Sequence, residues 1–261
     1  MWGAIIGDFV GSIYEVQPIR TKTFPLLQPH CTITDDSVLS VAVADALLNA
    51  RGYTEALQDW GNRYPNSGYG GLFRQWLGTP NPQPYGSYGN GSAMRVSPVG
   101  WLRDTESSVL KEAERSAAAT HDHPEGIKGA QAVALGIWLG RQGSSKQEIK
   151  QRLHEFTGYE LDRSLDQIRP GYGFDTTCPG SVPESIIAFL ESSGYEDALR
   201  NAVSLGGDAD TMACIAGSLA EAFYGSVSER LIETVRSRLP KDVRRIIEQF
   251  EARLEGNPPP S

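Results

Sequence analysis

Three segments of this chain, 38–48, 129–140 and 212–223, are apolar around nearly their whole circumference when wound as helices. A helix with no polar face belongs at the centre of a protein, wrapped by amphipathic ones. Amphipathic segments do surround these three, and nowhere does a two-residue alternation mark a convincing strand. The expectation is an all-α fold: a compact single-domain multi-helix bundle.

Helices are predicted over 3–15, 35–50, 54–64, 105–119, 124–141, 144–156, 183–191, 196–204, 228–239 and 242–254. Pro124 fits a first turn, Ser145 with Glu148 fits a capping box, and Pro183 is taken to open its helix. Residues 18–29 and the glycine- and proline-rich 66–91 read as loops. No linker or low-complexity run divides residues 1–254, so one domain is expected there, with 255–261 as a flexible tail.

Two of the apolar helices have unusual mouths. Gly206-Gly-Asp208-Ala-Asp210-Thr211 leads into 212–223, and Thr34-Asp35-Asp36-Ser37 leads into 38–48. One acid or hydroxyl is enough to cap a helix, whose free N–H groups and dipole attract it. Here four carboxylates and two threonines collect at two such ends. A hard-oxygen cation site accounts for the surplus; two independent N-caps are the plainer alternative. Four converging carboxylates would raise one another's pKa values, and two helix ends, each worth about half a charge, would not neutralise them.

The first helix carries Gly3, Gly7 and Gly11 at spacing four, so one face can approach a neighbour closely. Asp8 and Glu15, seven apart, share a face. Buried carboxylates need partners, whereas Glu15 at the helix end could equally be a surface acid. Gly86-Ser-Tyr-Gly-Asn-Gly91 offers backbone N–H groups to an anion and flat rings to a base, or is an ordinary long loop. His121 and His123 lack further ligands at zinc spacing, and read as locally bonded or pocket-facing.

Composition excludes other classes. A net charge of −8 argues against bulk nucleic-acid or anionic-membrane binding. The N-terminus lacks the basic start of a signal peptide, and the longest uncharged apolar run, 132–140, is too short to span a bilayer. Three widely spaced cysteines form no disulfide framework, so a reducing cytoplasm is expected; a monomer is expected as well.

The order of these pieces carries a resemblance. Gly7-Asp8 with Glu15, then Thr34-Asp-Asp36, then Gly86-Ser-Tyr-Gly-Asn-Gly-Ser-Ala-Met-Arg95, then His121, then Gly206-Gly-Asp-Ala-Asp-Thr211 resembles the ADP-ribosylglycohydrolase family from Gly3 to about Tyr224. The resemblance implies two divalent cations, Mg²⁺ or Mn²⁺, held by Thr34, Asp35, Asp36, Asp208, Asp210 and Thr211. It implies Glu15 as the catalytic acid/base. Gly70, Gly71, Ser87, Tyr88, Gly89 and Asn90 would hold the diphosphate and adenosine of ADP-ribose, with His121 and Tyr172 lining the pocket. The implied activity is removal of ADP-ribose from a modified acceptor by cleavage of the C1″ bond. The loop is more similar to the branch acting on O-linkages to serine than to the one acting on N-linkages to arginine. A sensor that binds ADP-ribose without turnover is the alternative, and six complete ligand positions weigh against it.

Overall fold

The computed structural model describes residues 1–256. Among them are fifteen helices and no strand. In chain order they are α1 (Trp2–Val16), α2 (Asp35–Leu48), α3 (Tyr53–Arg63), α4 (Gly71–Leu77), α5 (Gly91–Met94), α6 (Ser97–Leu102), α7 (Glu106–Ala117) and α8 (Pro124–Arg141). Then follow α9 (Lys146–Thr157), α10 (Leu165–Ile168), α11 (Cys178–Leu190), α12 (Tyr195–Val203), α13 (Ala209–Tyr224), α14 (Glu229–Arg238) and α15 (Lys241–Glu255).

The three apolar segments are the hearts of α2, α8 and α13, buried along nearly their whole length. α13 is the axis of the bundle, with α1, α12, α11 and α8 packed around it. The glycine stripe explains how α1 gets so near. A Cβ at Gly3 would lie 2.3 Å from the carbonyl oxygen of Gly217, at Gly7 2.1 Å from that of Ala213, and at Gly11 2.4 Å from that of Ala209. Real Cβ atoms do not come that close, so the two backbones touch through glycine alone. The helices run antiparallel. Glu221, near the end of α13, accepts from the backbone N–H groups of Trp2 (3.0 Å) and Gly3 (2.9 Å) and so caps the start of α1. The end of α1, with Glu15, therefore arrives at the start of α13, with Asp208 and Asp210.

Two expectations are corrected. Pro183 does not open α11; the helix begins at Cys178, with the Thr177 hydroxyl accepting from Gly180 N–H at 3.1 Å. Pro183 lies within it, so the cap of Thr177 outweighs one missing N–H. The stretch 66–91 is not all loop, since Gly71–Leu77 winds into α4 and stacks Phe73 on Trp76 in the core. Its apolar run is too short for periodicity to reveal between glycines. Of the expected tail 255–261, Glu255 ends α15 and Gly256 caps it; the remainder lies outside the described residues. No helix is long and apolar enough to cross a membrane among the described residues.

Candidate functional site

The helix ends meet in one acid-rich centre. Asp8, Asp36 and Asp210 bring carboxylate oxygens within 4.8 Å of one another, and so do Glu15, Asp208 and Asp210. Asp210 belongs to both groups, so the two form one continuous cluster. Asp8, Asp36, Asp208 and Asp210 are buried, while Glu15 and Asp35 are partly exposed.

Local chemistry aims each acid. Asp8 accepts from the backbone N–H groups of Thr34 (3.0 Å) and Ser37 (3.1 Å), and from the Thr34 hydroxyl (2.7 Å) and that of Ser37. It thereby clamps the start of α2 onto α1. The Thr211 hydroxyl donates to Asp36 Oδ2 at 3.2 Å, linking α13 to α2. Asp36 Oδ1 is buried and has no hydrogen-bond partner among the described residues. Ahead of α13, Gly206 takes φ +69°, a left-handed turn that suits glycine. Arg20 donates to the carbonyls of Leu205, Arg169 and Tyr172, pinning this turn to the neighbouring loop.

The charges are unbalanced. None of the six carboxylates has a Lys, Arg or His within salt-bridge distance among the described residues. Burial, and then the charge of Asp210, push the carboxyls of Asp8 and Glu15 up to about 7. The same two causes hold Asp35, Asp36 and Asp208 well above the usual carboxylate range. An all-oxygen donor set, in excess negative charge and with a buried oxygen left without a partner, fits a hard divalent cation.

The cluster forms one wall of a cavity of about 430 Å³, a size at which a small molecule can be largely enclosed. Glu15, Asp35, Asp36, Asp208, Asp210 and Thr211 line it. Gly70, Gly71, Ser87, Gly89, Asn90 and His121 line it as well. The 86–91 loop is held from several directions. Asp122 accepts from Gly86 N–H (2.7 Å), Asn90 N–H donates to the Thr176 carbonyl (2.7 Å), and Cys178 N–H donates to that of Tyr88 (2.9 Å). Gly126 lets α8 pass beneath, since a Cβ there would lie 2.6 Å from the Ser87 carbonyl oxygen.

Three residues implied by the resemblance do not line the cavity. Tyr88 is 49% exposed and does not line the cavity; its ring centre sits 5.3 Å from that of His123. Tyr172 lies behind the Gly206-Gly207 turn, where a Cβ on Gly207 would meet its ring at 2.4 Å, and its hydroxyl donates to the Gly180 carbonyl at 2.8 Å. Thr34 caps α2 and stays within the acid cluster, its hydroxyl donating to Asp8 at 2.7 Å and lying 3.4 Å from Asp36 Oδ2, without lining the cavity. Conversely, Asp8 belongs to the centre, although its sequence signal was only that of an acid on a glycine-striped helix. Phe174 and Leu72, 61% and 62% exposed, form an apolar rim, and Thr176 and Arg95 also line the cavity.

With that geometry in view, the comparisons are specific. The sequence profile of the family described as ADP-ribosylglycohydrolase matches residues 1–259. This chain belongs to that family. It is 28% identical over 305 residues to the human (Homo sapiens) ADP-ribosylhydrolase ARH3, covering 85% of this chain and 84% of that protein. It is 27% identical over 260 residues to the ADP-ribosylarginine hydrolase Tri1 of Pseudomonas putida strain GB-1, covering 85% of this chain and 69% of the relative. A solved structure titled ADP-ribosylglycohydrolase-related protein complex superposes with a TM-score of 0.73 at 25% identity, over 96% of this chain and 95% of its own. This ADP-ribosylglycohydrolase is thus a glycosidase-type hydrolase, with the acid cluster at its centre.

Proposed function

We propose that the enzyme removes ADP-ribose from an O-linked, serine-type acceptor with the help of two divalent cations, Mg²⁺ or Mn²⁺. The observation that carries this reading is the meeting of five carboxylates from three helix ends, Glu15, Asp35, Asp36, Asp208 and Asp210, in a cavity that the glycine loop also lines. Thr34, Asp35, Asp36, Asp208, Asp210 and Thr211 would hold the ions, and Asp8 would fix the start of α2 beneath them. When bound, such ions would hold ribose hydroxyls and make water a better nucleophile.

Glu15 is the residue suited to move the proton. It lines the cavity beside Asp210, and in the metal-free protein burial first and the Asp210 charge second raise its carboxyl. As a carboxylate it can take a proton from the water attacking C1″ and return it to the leaving oxygen. Breaking the C1″–O bond develops positive charge on the ribose, which the surrounding carboxylates stabilise. Backbone of Gly70, Gly71, Gly89 and Asn90 would receive the diphosphate, with the base resting against the rim of Phe174 and Leu72.

The preference for an O-linkage rests on the Gly86 to Arg95 loop, whereas the name of the Pseudomonas putida relative keeps the arginine N-linkage in play. Incubation with serine-, arginine- and nucleic-acid-linked ADP-ribose, following release of free ADP-ribose, decides between them. Fast release from arginine alone would overturn the serine assignment, and release from none would overturn the activity. The buried, free cysteines Cys31, Cys178 and Cys214 support a reducing compartment, and we assign the enzyme to the cytoplasm.

A further inference from the structure

Behind the glycine loop lies a buried cation that nothing in the acid centre uses. Arg95 is fully buried, takes part in no ion pair among the described residues, and leaves Nε and Nη1 without partners. Its Nη2 donates to the Ser116 carbonyl (3.2 Å) and to the Thr120 hydroxyl (2.8 Å). Burial pulls the guanidinium down to about 10, so it stays charged at neutral pH. A buried charge without a counter-charge is expensive, and both Arg95 and His121 line the cavity expected to receive an anion.

Thr120 carries the influence of Arg95 forward. Its Oγ1 lies 2.6 Å from Nδ1 of His121, and both residues are buried. A hydroxyl has one proton. Oγ1 accepts from Arg95, and Nδ1 is the one acceptor within reach of its own proton among the described residues, so that proton goes to Nδ1, the acceptor nitrogen of a neutral ring. The ring proton therefore sits on Nε2. That nitrogen points to the glycine loop, where a Cβ at Gly91 would lie 3.2 Å away and one at Gly89 3.6 Å. The two glycines leave clear the space that Nε2–H addresses. Burial, and next the charge of Arg95, hold the His121 pKa well below its usual value, in keeping with a neutral ring.

We propose that Arg95 and Thr120 are positioning residues of the diphosphate subsite, locking His121 as an Nε2–H donor aimed at the anionic oxygens. The diphosphate part rests on the ADP-ribose reading above; the Arg95–Thr120–His121 relay rests on the geometry alone. Arg95 supplies the positive charge behind the donor, and Thr120 fixes the tautomer.

Long-range ¹H–¹⁵N spectra of the full chain, with histidine rings labelled and no ligand added, test the relay directly. His121 is expected as the Nε2–H tautomer, with that proton shifting when ADP-ribose or ADP is added. Thr120→Val keeps the shape and removes the hydroxyl. It should give mixed tautomers and about tenfold weaker ADP-ribose and ADP binding, while Thr120→Ser restores both. A wild-type ring protonated at Nδ1 overturns the proposal without recourse to any variant. So does a folded Thr120→Val protein with unchanged spectrum and affinity. An Nε2–H ring in a wild-type protein that binds no ADP-ribose would support the relay and sink the substrate reading instead.

Discussion

The side-chain amide of Asn90 donates to Oδ2 of Asp208 across 2.7 Å, joining residues 118 apart in sequence. The same amide donates to Ser181 at 3.1 Å, so its orientation is fixed by two acceptors. This contact ties the loop that lines the cavity to the helix mouth that gathers acids. Asn90→Asp would set a further carboxylate against Asp208. ADP-ribose affinity in the mutant is expected to fall at least about tenfold by calorimetry, in line with losing a hydrogen bond to a charged group. Unchanged affinity would show that loop and acids act separately.

Glu15→Gln keeps size and hydrogen bonding but cannot carry a proton. Turnover should drop about 10²–10⁴-fold, with ADP-ribose affinity near wild type. Retained turnover would remove Glu15 from the chemistry, and joint loss of binding would make it a ligand to substrate or metal.

Chelation should stop turnover and lower the melting temperature, and Mg²⁺ or Mn²⁺ should restore both. An ion present at a hundredfold excess over its Kd stabilises the fold by about 2.7 kcal/mol. Asp36→Asn should blunt the response, since it removes charge where Oδ1 has no protein partner. A melting curve indifferent to chelator and to added ion would exclude a bound cation.

The metal-free protein should lose stability as pH rises. Folding lifts Asp8 from 3.8 and Glu15 from 4.5 to about 7, so between about pH 4 and 7 the folded state binds more protons than the unfolded one. Stability then falls with rising pH across that window, because the slope follows protons bound unfolded minus folded. Saturating Mg²⁺ should flatten the fall. Melting temperatures at pH 5 and 7.5, with chelator and with ion, make the comparison; an apo protein steadier at pH 7.5 would contradict it.

Gly7→Ala should be severe for one methyl group. The added carbon would sit 2.1 Å from the Ala213 carbonyl oxygen, and a helix backbone cannot yield as a side chain can. A loss of at least about 3 kcal/mol is expected from the urea midpoint, the upper end for overpacking. Gly52→Ala, where the new carbon meets nothing within 4 Å, is the matched control.

Much of this was legible in the chain because polar residues stand out inside apolar helices. Asp35, Asp36, Asp208 and Asp210 announce a centre since so many acids are surplus to capping. Gly3, Gly7 and Gly11 announce close packing because three bare positions on one face have no other obvious use. What stayed hidden depends on contacts made by distant segments. Whether the ring of Tyr88 or that of Phe174 faces the cavity is set by how the loop after Tyr172 lies against the loop at 86–91. Arg95 closes the Gly86–Arg95 motif with no role of its own until its burial and its bond to Thr120 are seen. The start of α11 was misplaced because proline is a strong signal, and the Thr177 cap is a weak one until its acceptor geometry is known.

The packing of α1 on α13 has a consequence for biosynthesis. The acids of residues 8–36 and those of 208–210 leave the ribosome with most of the chain between them. At about 5–20 residues per second, α1 waits roughly 10–40 s for the partner its glycines fit. During that interval a helix buried on almost every side in the finished protein has nothing native to cover it. Nascent chains halted before residue 209 should therefore be captured by chaperones or aggregate, whereas those released beyond α13 should not.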